Sequence, residues 1–121
     1  MPRIRDLLKQ FRRICLVLPE ATEKTAWGEP TFRVRGKMFA MCNGESHPGP
    51  LEVWIKALPE AQEALVASDP KRYFVPPYVG HKGWIGVRLH ADVDWSVITD
   101  LVHEAFRMTA PKRLSAPFDL S

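Results

Sequence analysis

Six cations at strand and turn positions, Arg33, Arg35, Lys37, Lys56, Lys82 and Arg88, accompany two residues able to stack on a base or donate to an oxyanion, Trp84 and His81. Guanidinium and ammonium groups along strands and turns are what a phosphate backbone requires, and an indole or imidazole beside them adds stacking and hydrogen bonding. The chemistry that this set supports is non-enzymatic contact with nucleic acid. The competing reading is that strands expose Arg and Lys to keep their edges soluble.

Other chemistry-bearing residues are more scattered. Of the four tryptophans, Trp54 and Trp95 are expected in the core, whereas Trp27 and Trp84, each beside a glycine, are expected to border a cleft. With His81, that pair gives a further reading, a small-molecule site or enzyme. The histidines His47, His81, His90 and His103 fall in a loop, a turn, a strand end and a helix, and none pairs with another at metal-ligand spacing, so no metal is expected. Glu45 with Glu52, and Asp92 with Asp94, read as loop and cap residues rather than catalytic pairs. Gly80, Gly83 and Gly86 lead into a strand instead of a helix, so they are turn residues and no phosphate cradle; residues 44–49 have proline where a nucleophile elbow needs its second glycine. No cofactor is expected.

Charge is unevenly placed. Residues 1–18 carry Arg3, Arg5, Lys9, Arg12 and Arg13 against Asp6, whereas the rest of the chain holds twelve cations and thirteen anions. The net +3 is therefore a property of the first helix, and the body is not basic overall. Cys15 and Cys42 fall on apolar faces, as free thiols do in a reducing compartment, and no apolar run reaches the ~18 residues of a membrane span; a cytoplasmic location is expected.

The elements that must position these residues follow from periodicity. Ile4, Leu7, Leu8, Phe11, Ile14, Cys15 and Leu18 form one helical stripe over residues 2–18, ended by Pro19. A short strand is expected around residues 25–27, then a hairpin with arms 31–35 and 37–42 about a Gly36-Lys37 turn. Phe32 and Val34 face one way and Thr31, Arg33 and Arg35 the other; beyond the turn, Met38 and Ala40 oppose Lys37, Phe39 and Met41. Residues 43–50 read as an exposed loop, followed by a strand over 51–56, a helix from 58 or 59 stopped at 68–70, a brief edge strand within 73–78 and a strand over 84–89. A last helix, capped by Asp94, carries Ile98, Leu101, Val102, Ala105 and Thr109 inward as far as Pro111. At 121 residues the chain is one domain, residues 1–114, with a loose tail over 115–121. The order, helix, three or four strands, helix, two strands, helix, implies a two-layer α+β fold, an antiparallel sheet with helices on one face.

The run Gly28, Pro30, Phe32, Val34, Lys37, Phe39, Ala40, followed by His81, Lys82, Trp84 and Ile85, resembles the MmcQ/YjbR-like family of small bacterial proteins. Leu18-Pro19, Glu23 and Trp27-Gly28 extend the resemblance, which covers roughly residues 4–114. It implies a fold similar to that of secretion chaperones and carries a family proposal of DNA binding by a double wing of hairpins. It also implies an alternative class, a protein-interaction module working with a partner or with a second copy of itself. The third helix departs from the family's frequent Ser-Tyr pair, with Ala105-Phe106 in its place.

Overall fold

Leu7, Leu8, Phe11 and Cys15 recur at three- and four-residue spacing, and in the computed structural model they are the buried stripe of helix α1 (Ile4–Leu16), with Arg5, Asp6, Lys9 and Arg13 in solvent. The structure describes residues 4–43, 51–90 and 92–118; the loop over 44–50 with Glu45 and His47, and the side chain of Ile4, lie outside the described residues. The helix stops at Leu16, two residues before the expected end, and Leu18 is buried beyond it. Glu20 then adopts a left-handed φ of 58°, turning the chain into strand β1 (Ala21–Ala26). This strand is longer than the short one expected around residues 25–27. Its Thr22, Glu23, Lys24 and Thr25 are all exposed at the edge of the sheet, so no apolar alternation marks it.

Strands β2 (Glu29–Val34), β3 (Lys37–Asn43) and β4 (Leu51–Ile55), helix α2 (Pro59–Ser68), strands β5 (Tyr73–Phe74) and β6 (Ile85–Leu89), helix α3 (Trp95–Thr109) and a short α4 (Lys112–Ser115) complete the α+β order. The six strands form one antiparallel sheet in the order β1-β2-β3-β4-β6-β5. Among the described residues no helix is long and apolar enough to cross a membrane.

The first two turns explain the register. Trp27-Gly28 has φ values of 54° and 77°, and Arg35-Gly36 has 52° and 79°, the paired positive values of a type I′ hairpin turn. The second turn is therefore Arg35-Gly36, one residue before the expected Gly36-Lys37, because the second central position of such a turn favours glycine. A bulge then breaks the expected alternation in β3: Phe32 pairs with Ala40 but Arg33 pairs with Met38, leaving Phe39 as the extra residue. Phe39, Ala40 and Cys42 consequently reach the main core, while Met38 joins Met41 on the opposite face.

The core lies between the sheet and helices α1 and α3. Phe11 meets Phe32 edge-on at 5.6 Å, and Phe39 meets Phe106 at 5.9 Å, contacts worth roughly 0.5–1.5 kcal/mol each beyond the area they bury. Ile98, Val102, Ala105 and Phe106 are the buried residues of α3. Phe106 belongs to this inner face although periodicity placed Leu101 and Thr109 there, and both of those are only half-buried. Ala105 and Phe106 are both fully buried in the core. Asp94 caps α3 by accepting from the Ser96 N–H at 3.0 Å and the Ser96 hydroxyl at 2.6 Å, which hold its carboxyl below the ordinary value. Cys15 and Cys42 are buried free thiols; burial first, then Cys42 and Glu23, push the Cys15 thiol well up, toward an inert hydrophobe. Of the expected loose tail, Ser115 is buried in α4 and residues 116–118 form a 3₁₀ turn, while residues 119–121 lie outside the described residues.

Candidate functional site

Residues paired across antiparallel strands share a face, so the register defines what the second face of the sheet presents. One row runs Lys24, Thr31, Met41, Trp54, Gly86, Phe74, and a second contains Asn43, Glu52 and Arg88. Among the described residues, the helices that pack in the main core do not join the cluster on these rows. The connection from β5 to β6 folds over them instead, and its Val79 packs against a second cluster of Met41, Trp54 and Trp84, together with Met38 and Phe74.

Two contacts fix that connection. The half-buried Gln62 of α2 donates to the carbonyls of Gly80 at 2.8 Å and Trp84 at 2.6 Å. Gly86 lets the Phe74 ring lie on the sheet: a Cβ there would stand 2.4 Å from the ring, which also carries the Arg88 guanidinium 4.5 Å from its centre.

Between this cover and the first hairpin lies a cavity of about 540 Å³, lined by Trp27, Glu29, Met38, Met41, Asn43, Trp54, Tyr78 and Val79. Its walls are aromatic rings and thioethers, and its charge is a carboxylate. Glu29 is only 4% exposed, and among the described residues its Oε2 is buried without a hydrogen bond, although the side chain is engaged elsewhere. Trp27 and Tyr78, by contrast, are 79% and 85% exposed at the rim.

Backbone strain marks the same rim. Among the described residues four non-glycine positions have positive φ, and they sort into two pairs. Glu20 and Arg35 form a two-pronged ion pair, 2.6 and 3.0 Å, in which the Arg35 hydrogen bonds lower the Glu20 carboxyl below its ordinary value. Trp27 at 54° and Tyr78 at 66° make no such pair; both line the cavity. The turn with Gly28 imposes the left-handed φ at Trp27, but a bulky aromatic is an uncommon residue for such a turn, and outliers of this kind concentrate at binding sites.

The residues expected to touch phosphates are partly dispersed. Lys37 opens β3, Lys56 follows β4, and His81, Lys82 and Trp84 precede β6, so the antiparallel register gathers them at one end of the sheet, beside the Arg35-Gly36 turn. Lys37, His81 and Lys82 are exposed and Lys56 is half-buried. Arg33 is tied to the Thr31 hydroxyl at 3.1 Å and Arg35 to Glu20. Arg88 lies in the row with Glu52, farther along β6, where it also donates to the carbonyls of Lys71 and Pro70. Trp84, expected to border a cleft, is buried instead; Trp54 is buried as expected, in the second core cluster, and also lines the cavity; Trp27 borders it as expected and Trp95 is half-buried against the main core. His90 is exposed and His103 half-buried. Among the described residues no group of three or more His, Cys, Asp or Glu is placed to hold a metal.

Glu29, Met38, Met41 and Asn43 were not singled out by sequence as site residues, and Tyr78 was read only as the end of the edge segment 73–78. The signal for Glu29 is its spacing from Thr31 and Arg33, which puts a carboxylate on the face of a strand next to Trp27. The two methionines are hidden by the bulge, and Tyr78 by its place after two prolines.

The comparisons agree with this architecture. The solved structure of Deinococcus radiodurans protein DR2400, with a DUF419 domain, superposes with a TM-score of 0.75 at 21% identity, covering 100% of this chain and 91% of that one. That likeness speaks for the fold. No curated protein matches the chain. The YjbR family model matches residues 16–108, from the end of α1 almost to the end of α3, and by that match the chain belongs to the YjbR family.

Proposed function

We propose that this YjbR domain is a binding protein rather than an enzyme, and that its ligand is a small molecule with an aromatic or apolar body held in the cavity on the open face of the sheet. The observation that carries the reading is the pair of strained, exposed aromatics, Trp27 and Tyr78, standing over a floor of Trp54, Met38 and Met41. A volume of about 540 Å³ is within the range of sites that enclose drug-sized molecules, roughly 300–1,000 Å³. The lining supplies a carboxylate, an amide and a phenol, groups that orient a ligand. Thermal-shift titration with a set of aromatic metabolite-like compounds tests this, because a ligand that binds only the folded state raises its stability by RT ln(1 + [L]/Kd). Compounds that raise Tm for the parent and do so less for Tyr78→Asn support the reading; no shift at millimolar concentration rejects it.

A second reading, DNA binding, draws on a different observation: Lys37, Lys56, His81 and Lys82 meet at one sheet end. Anisotropy of a labelled random duplex at about 50 and 200 mM salt tests it, since an affinity carried by several phosphate contacts falls steeply over that range. Salt-sensitive binding weakened by Lys37→Ala and Lys82→Ala supports this surface. Binding absent at low salt, or indifferent to both substitutions, rejects it.

A further inference from the structure

Away from the cavity, we propose that the outer face of helix α1 docks on an anionic lipid surface. Arg5, Lys9 and Arg13 recur every four residues, and all three are exposed. At a rise of about 1.5 Å per residue they make a row roughly 12 Å long on the solvent side of the helix. The Val17 N–H donates to the Arg13 carbonyl at 3.2 Å, so helical geometry carries the row on to Leu16 and Val17. Those two apolar side chains are 37% and 70% exposed.

Folding gives this row little support. Among the described residues every other arginine has a hydrogen-bond or ion-pair partner, such as Glu23 for Arg12 and Glu20 for Arg35, whereas Arg5, Lys9 and Arg13 have none. Arg5 stands in the first turn, where the helix dipole disfavours a cation, and like charges four residues apart repel one another. Asp6, at the edge of the same face, suits the first turn but forms no ion pair with the row.

Anionic headgroups complement such a face. Each Arg or Lys brought to a charged leaflet strengthens association by about fivefold, so three give on the order of a hundredfold. Leu16 and Val17 favour lipid over a nucleic-acid backbone, because the headgroup boundary accepts apolar side chains and phosphates and sugars do not. Leu7, Leu8, Phe11 and Cys15 stay in the core, so the helix rests on the headgroups and only its apolar end enters the interface.

Co-sedimentation of the full chain with vesicles of phosphatidylcholine alone, or of phosphatidylcholine and phosphatidylserine in equal parts, tests this at about 50 mM salt and millimolar lipid. Binding to the anionic vesicles alone is expected. Arg5→Gln, Lys9→Gln and Arg13→Gln together should lower it by about a hundredfold, and Lys9→Gln by itself by about fivefold. Val17→Asp should weaken it by about tenfold. A charge-matched control, Lys37→Gln, Lys71→Gln and Lys82→Gln, removes three exposed cations elsewhere and should cost less than about fivefold. Equal losses in the two triple variants would mean that net charge acts rather than the row, and would overturn the proposal. So would absence of binding to the anionic vesicles, including the case in which the row holds a labelled duplex instead.

Discussion

Replacing Trp27 by asparagine is expected to leave the domain slightly more stable and its cavity without an outer wall. The turn geometry favours the change: Trp27 and Gly28 have φ of 54° and 77°, and Asn-Gly is a preferred pair for that shape. A left-handed conformation costs an ordinary residue about 1–2 kcal/mol, most of which asparagine avoids by local hydrogen bonding. Against this stands the lost contact. Trp27 is 79% exposed, so about a fifth of a side chain of roughly 250 Å² is buried, near 50 Å² or about 1 kcal/mol.

The two terms leave a gain of about 0.5 kcal/mol. With an unfolding entropy near 2.1 cal/mol/K per residue, a chain of 121 residues converts that to a Tm increase of roughly 2 °C. Differential scanning calorimetry of the parent and Trp27→Asn reads the shift, and thermal-shift titration with the aromatic compounds that stabilise the parent reads the binding, expected to weaken by about fivefold or more. A tryptophan that served the core would behave oppositely, costing about 3–5 kcal/mol and lowering Tm by well over 10 °C. A fall of 4 °C or more would therefore refute the claim that this residue is strained for a purpose other than folding. A Tm that rises while binding is unchanged would preserve the turn argument and remove Trp27 from the site.

Two further outcomes follow from local geometry. Gly86→Ala places a methyl group 2.4 Å from the Phe74 ring and should cost about 1–3 kcal/mol, read as a lower urea midpoint at constant m-value; a loss below about 0.5 kcal/mol would mean that the ring is not seated on the sheet. Asp94 has a lowered carboxyl in the folded chain, chiefly from its hydrogen bonds to Ser96, so its contribution is present above the ordinary carboxylate value and is lost as pH falls through the lowered one. Asp94→Asn keeps an acceptor for the Ser96 N–H but cannot titrate, so stability at pH 7 should change little and the acid limb of Tm against pH should become shallower; an unchanged acid limb would contradict this.

The fold was legible because its main signals are local. The stripe through Leu7, Leu8, Phe11 and Cys15, the cap at Asp94 and the proline at the start of α2 each act within a few residues, and each appears where expected. The strand order follows once the antiparallel pairs are joined. Strand β1 was only partly legible, because an edge strand exposed on both faces has no apolar alternation to betray it.

The candidate cavity was much less legible, and the reason is the bulge at Phe39. Alternation read through that point assigns Met38 to the face of Ala40 and Met41 to the face of Phe39, when the extra residue returns both methionines to the side of Thr31 and Trp54. A period-two reading thus dissolves the cavity floor by splitting its members between two faces. Trp54 is buried as expected, yet a sheet with helices on one face has two apolar layers, and periodicity does not tell that Trp54 belongs to the second. What periodicity loses, the backbone records: Trp27 and Tyr78 are both left-handed, and both line the cavity on that layer. The sequence trace of this strain is the Trp-Gly step alone, where the pairing of a large ring with a turn glycine marks a position at which folding would have favoured asparagine.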